Sequence, residues 1–224
     1  MKNNIVNILT RYTVATFGLV LVAAGVALSI LSDLGTAPIS CPPYVISLWG
    51  GLTVGQYTAA MHFLFILLQI TLLRKRFKAE NLMQIAAAVV FGVLTDTAIW
   101  AFSWIVPANY ISKAILMLLS CMITAAGISI EVRAKAWMLA GEMTVAAIAE
   151  VSGAKFRNVK IIFDCSLVAI SAIISLALFG NIFGKEDMIV IREGTLVSAL
   201  LTGFLMKFID PWTDRIFGKM IDRK

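Results

Sequence analysis

The chain has 224 residues, of which 60% are hydrophobic and 14% charged, a mean hydropathy of +0.90 and a formal net charge of +6. That composition lies far outside the range of soluble globular domains and points to a membrane protein. No basic soluble face with interleaved aromatics is present, so nucleic acid is excluded as a partner and the positive charge is read as a topology signal.

The first apolar stretch runs from Tyr12 to Leu31, long enough to cross roughly 30 Å of hydrocarbon. It follows Lys2 and Arg11 but is too long for a signal-peptide core, and it is read as a retained first helix. Five further spans are expected near Gly55–Leu73, Leu82–Ile105, Ser112–Ile130, Val159–Phe179 and Gly194–Ile209. The expected fold is all-α, a single polytopic membrane domain over 1–224 with a cytoplasmic tail at 210–224. Sixteen of the 19 Lys and Arg residues then fall on one side, which predicts a bacterial cytoplasmic-membrane protein with both termini cytoplasmic.

A shift of about 102 residues pairs Ala23-Ala24-Gly25 with Ala125-Ala126-Gly127, and also Gly51 with Gly153, Gly92 with Gly194 and Phe102 with Phe204. The two copies, about 12–105 and 112–209, would each hold three spans. An odd number per copy makes the second enter the membrane with opposite polarity, a 3+3 inverted repeat of the kind that builds a central site in transporters.

The connection from Ser32 to Trp49 is too hydrophobic for an ordinary loop. Gly35 and Pro38 break the first helix, Ser40 can cap a short one, and Pro42 and Pro43 fit its first turn, where their missing amides need no helical partner. Gly50-Gly51 would end it. The repeat-related segment, Ala134 to Gly153, carries Glu142 in the place of Ser40 and a short apolar helix from Met143 to Val151. The expected arrangement is two re-entrant half-helices, Gly35–Trp49 and Trp137–Val151, whose N-termini meet and favour an anionic group. Two amphipathic helices lying flat on the surface are the alternative.

Several motifs together resemble the YczE/YyaS/YitT-type bacterial membrane proteins. Leu34-Gly35-Thr36-Ala37-Pro38 followed by Gly51-Leu52-Thr53-Val54-Gly55 is similar to their first repeat, and Gly141-Glu142 through Ser152-Gly153 to their second. Glu193-Gly194-Thr195 through Gly203 resembles their closing helix. That family often has an acidic residue soon after the first-repeat proline; this chain has Ser40 there and is acidic only at Glu142. The soluble C-terminal domain of the YitT branch is missing, so the shorter, membrane-only members are the nearer likeness. The resemblance implies an architecture rather than an activity.

Polar residues within the spans supply the candidate site. Asp96 shares a stripe with Ala88 and Gly92, which should turn it into the bundle toward the small-residue stripe Gly194, Ser198, Thr202 of the last helix. It is either functional or a protonated structural acid bonded to a hydroxyl. Ser40, Cys41, Asp96 and Glu142 form the expected substrate-binding set around one central cavity. His62, Asp33 and Asp164 are expected in proton or gating roles. Against that, His62 can be a neutral histidine bonded to a hydroxyl or carbonyl, and Asp164 can simply pair with Lys160 one turn away. Glu131, Glu150, Glu186 and Asp187 are expected in water, and Trp100, Trp104, Trp137, Tyr110 and Trp212 at the membrane interfaces.

No nucleophile elbow, phosphate-binding loop, metal motif or Cys/His cluster is present, so no catalytic residue, metal or cofactor is expected. The expected function is a small-solute transporter or exporter working between the repeats, for an anionic or zwitterionic solute. A substrate-binding component of an energy-coupling-factor vitamin importer is the alternative, and a non-transporting assembly or regulatory protein the second. The expected partners are the lipid bilayer and a small solute, with a homo-oligomer or a coupling module left open.

Overall fold

The computed structural model describes residues 2–134, 136, 138–185 and 188–221, with the side chains of 2–8, 79, 157, 189 and 218–221 left aside. The expectations placed on Lys135, Trp137, Glu186, Asp187, Arg223 and Lys224 lie outside these residues. Among the described residues eight α-helices carry the fold: α1 Lys2–Leu31, α2 Cys41–Ser47, α3 Val54–Leu73, α4 Met83–Phe102, α5 Tyr110–Ala134, α6 Ala140–Ser152, α7 Phe156–Phe179 and α8 Glu193–Ile221. A two-stranded antiparallel hairpin, β1 Gly184–Lys185 with β2 Met188–Ile189, joins the last two.

Among the described residues five helices are long and apolar enough to cross a membrane: α1, α3, α4, α5 and α7. The chain is an all-α polytopic membrane protein. α8 is long but interrupts its apolar run with Lys207, Asp210 and Pro211, and it is not among the five.

Local sequence explains most of the boundaries. Thr53 and Gln56 form a reciprocal capping box at the start of α3. α6 and α7 stop at Gly153 and Gly180, both at φ 68°, the left-handed conformation that glycine adopts without a Cβ clash. Pro42 and Pro43 sit in the first turn of α2, as the sequence suggests, but that helix ends at Ser47, before the Gly50-Gly51 pair. Ser40 occupies the N-cap position without a side-chain cap bond. α6 starts at Ala140, three residues earlier than the apolar run suggests, because Ala140, Gly141 and Glu142 are buried against neighbouring helices.

α1 and α5 cross at the centre. Their apolar windows are 61% and 56% buried, against 33% for α3 and 28% each for α4 and α7. Glycines permit the crossing: a Cβ on Gly25 would strike Thr124, and one on Gly127 would strike Gly18 and Val22. α4 packs on α1, and α8 on α5. Each short helix packs against the long helix that follows the other: α6 against α3, and α2 against α7. Phe91 of α4 joins Leu19, Val22, Val26 and Ile128 in one core cluster, and Phe65, Ile66, Val145, Phe163 and Leu167 make another.

Candidate functional site

The two short helices meet. Ile39, in the turn leading into α2, lies against Gly141 in the first turn of α6, where a Cβ would collide with it. A turn of charged side chains beside Glu142 comes from α7. Lys160 Nζ donates to Asp164 Oδ1 at 2.9 Å and lies 3.8 Å from Glu142 Oε1. Glu142 and Asp164 are buried, and Lys160 is partly exposed. α2 and the turn before it pack against α7, which brings Ser40 and Cys41 to the same helix as Lys160 and Asp164. Ser40 and Cys41 are buried there, with Cys41 Sγ 3.0 Å from the Thr36 hydroxyl.

A polar brace holds α6 in place. Gln69 of α3 and Gln84 of α4 exchange amide hydrogen bonds at 3.0 and 3.1 Å. Gln69 Nε2 also donates to the Ala140 carbonyl at 3.0 Å and to Thr144 Oγ1 at 3.1 Å. Both amides are buried, so every bond spared from water is kept within the protein. Sequence reading missed both glutamines; each sits in an apolar span, which is the signal that could have found them.

Asp96 is elsewhere, and its expected orientation is corrected. It does not face α8: its carboxylate accepts the Thr53 hydroxyl at 2.5 Å and the Gly55 amide at 2.8 Å, capping the N-terminus of α3. Gly55 and Gly92 touch backbone to backbone just beside it, which fixes α4 against that helix end. The helix start supplies amides and partial positive charge, a stronger attraction than the hydroxyl stripe of α8 offers.

His62 is fully buried on α3, between the rings of Phe65 and Phe91 at 6.0 and 5.6 Å. Neither nitrogen has a hydrogen-bond partner, so the expected hydroxyl or carbonyl bond is absent among the described residues. Glu131 is the clearest correction: expected in water, it is only 2% exposed, because the last turn of α5 is packed against Gly18 of α1. Glu150 is exposed as expected and pairs with Arg76 at 3.5 Å.

Asp33 belongs to a separate cluster at the other end of α5. It follows α1 with φ 54°, pairs with Lys113 and receives Arg192 Nη1 on its carbonyl at 3.1 Å. The Gly194 amide donates to the Leu34 carbonyl at 2.8 Å, and the Thr36 amide to that of Val190 at 3.0 Å. Here Glu193, held below the usual carboxylate range by its own amide and then by Arg192, stays ionised. An open hollow of about 660 Å³ beside it is lined by residues including Phe183, Arg192 and Leu196, and by none of Ser40, Cys41, Asp96 or Glu142. Trp100, Trp104, Tyr110 and Trp212 are all exposed.

The fold and its buried charged cluster define a polytopic helical membrane protein with ionisable groups at the meeting point of two short helices. The chain belongs to the family of unknown function DUF6198, whose model matches residues 9–211. No curated protein and no solved structure matches it.

Proposed function

We propose that the protein is a small-solute transporter of the bacterial cytoplasmic membrane, with six spans in a 3+3 inverted repeat, α2 and α6 re-entrant, and both termini cytoplasmic. The observation that carries this reading is the buried Glu142–Lys160–Asp164 cluster at the meeting point of the two short helices. Ionisable groups are costly within a membrane domain and concentrate on solute and ion paths. The reciprocal packing of α6 on α3 and α2 on α7 supports the repeat, as do Gly25 and Gly127, repeat equivalents that both lie in the α1–α5 crossing. The likeness to the YczE/YyaS/YitT-type proteins supports the same architecture.

The site also bears on the solute. Pro42 and Pro43 remove two amides from the start of α2, and Glu142 supplies the negative charge at the start of α6 from the protein itself. Three buried carboxyls, Glu131, Glu142 and Asp164, stand against Lys160. Of anionic and zwitterionic solutes the zwitterion fits better, its ammonium meeting Glu142 and its carboxylate meeting Lys160.

A thermal-shift panel tests this. Purified protein should be stabilised by one class of zwitterions, and Glu142→Gln should lose that protection. Protection by none of the panel, or equal protection of Glu142→Gln, would sink the reading.

A further inference from the structure

Glu131 closes the last turn of α5 at 2% exposure, and its Oε1 has no partner; a backbone bond from Leu139 holds the carboxyl. Glu142, 6% exposed in the first turn of α6, turns Oε1 toward Lys160 and leaves Oε2 without a partner. Leu139, the N-cap residue of α6, shares a core cluster with Ile128 of α5, which brings the start of α6, where Glu142 lies, to the end of α5. Lys160 and Asp164 of α7 stand beside Glu142, and α1 presents Gly18 to Glu131; of the other charged groups on the elements packed against α5, Asp210 of α8 accepts from Ser129 and Arg11 lies on α1. Arg133, the nearest cation along α5, is engaged with Asp214 of α8 at 2.7 Å. Among the described residues no salt bridge reaches Glu131, and no cluster of three acidic, His or Cys side chains could hold a metal ion.

Lys160 neutralises one carboxylate well and a second at longer range, and among the described residues no cation pairs with Glu131. An ionised carboxylate without water or a counter-ion is costly enough that the group takes a proton instead. We propose that Glu131 and Glu142 form a proton-binding pair, with one proton on Glu131 and Glu142 the ionised member beside Lys160. We infer further that this proton is the coupling ion, a step that rests on the transport reading above. When the O–H bond of Glu131 breaks and the proton passes to water, a second carboxylate competes for Lys160. Lys160 must then leave Asp164, or the start of α6 must shift, and either movement reshapes the place where the short helices meet.

Infrared spectroscopy of the purified protein tests the pair without any solute. Near neutral pH the wild type should show a protonated-carboxyl stretch that alkaline titration removes. Glu131→Gln should abolish that band, Glu142→Gln should shift it by changing the partner of the proton, and the exposed control Glu150→Gln should leave it alone. A wild type without the band, or a band that survives Glu131→Gln or stays unmoved in Glu142→Gln, overturns the pair. Should Glu131→Gln fail to fold, Glu131→Asp replaces it, with a shifted band expected and an unshifted one decisive against. A band that behaves as stated, in a protein that moves solute at a rate indifferent to a proton gradient, would keep the pair and remove the coupling role. An unresponsive band in an active transporter would remove the pair and the coupling role with it while leaving the transport reading standing.

Discussion

Thr53 at the start of α3 and Asp96 near the end of α4 form one structural joint: the Thr53 hydroxyl donates to Asp96 Oδ2 at 2.5 Å while Oδ1 takes the Gly55 amide at 2.8 Å. A carboxylate from one helix thus caps the helix before it, so Asp96 sets how α3 and α4 are held.

Asp96→Ala should therefore lower stability by about 1–3 kcal/mol, the cost of stranding a capped helix end. Thermal melting in detergent checks this, with flux per folded molecule expected to stay at the wild-type level. Normal melting with lost flux would return Asp96 to the site.

The same joint depends on Gly92, which faces the backbone of Gly55 at a distance that leaves no space for a side chain. Gly92→Val should cost at least about 3 kcal/mol, because backbone on the far side cannot give way as a side chain does. Gly203→Ala, with nothing within 4 Å of an added Cβ, should change stability by no more than about 1 kcal/mol and in the favourable direction. Comparable melting temperatures for the two variants would contradict the packing described.

Lys160 neutralises Asp164 at 2.9 Å and Glu142 at 3.8 Å in a buried setting. Lys160→Met should destabilise the protein by roughly 3–5 kcal/mol, since it abandons buried carboxylates. Adding Asp164→Asn should restore much of the loss. A double variant as unstable as the single one would show that the lysine acts through its aliphatic packing instead.

The helices were legible in the sequence because each has a long apolar run, and the short ones because Gly and Pro cannot continue a spanning helix. Gly153 and the proline pair Pro42-Pro43 read correctly from local chemistry alone. What did not read was every relation set by packing across the chain. The partner of Asp96 lies 43 residues away at Thr53, and no helical stripe on α4 identifies it. Glu131 looks like a solvated span end until Gly18 of α1 covers it. His62 and Asp164 are paired by the 102-residue shift, yet one is enclosed by Phe65 and Phe91 while the other meets Lys160.

The orientation gives a prediction of its own. With the exposed Cys165 replaced by serine, Lys75→Cys should resist impermeant thiol reagents in intact cells and Asn109→Cys should react. External labelling of Lys75→Cys would invert the orientation, and equal labelling of both sites would remove the membrane assignment of α4 between them.

The most direct measurement is solute flux in proteoliposomes, driven by a proton gradient and scanned over zwitterions. The account predicts accumulation of one solute class by the wild type, abolished in Glu142→Gln and retained in Asp96→Asn per folded molecule. Flux of no solute by the wild type, or undiminished flux by Glu142→Gln, would contradict it.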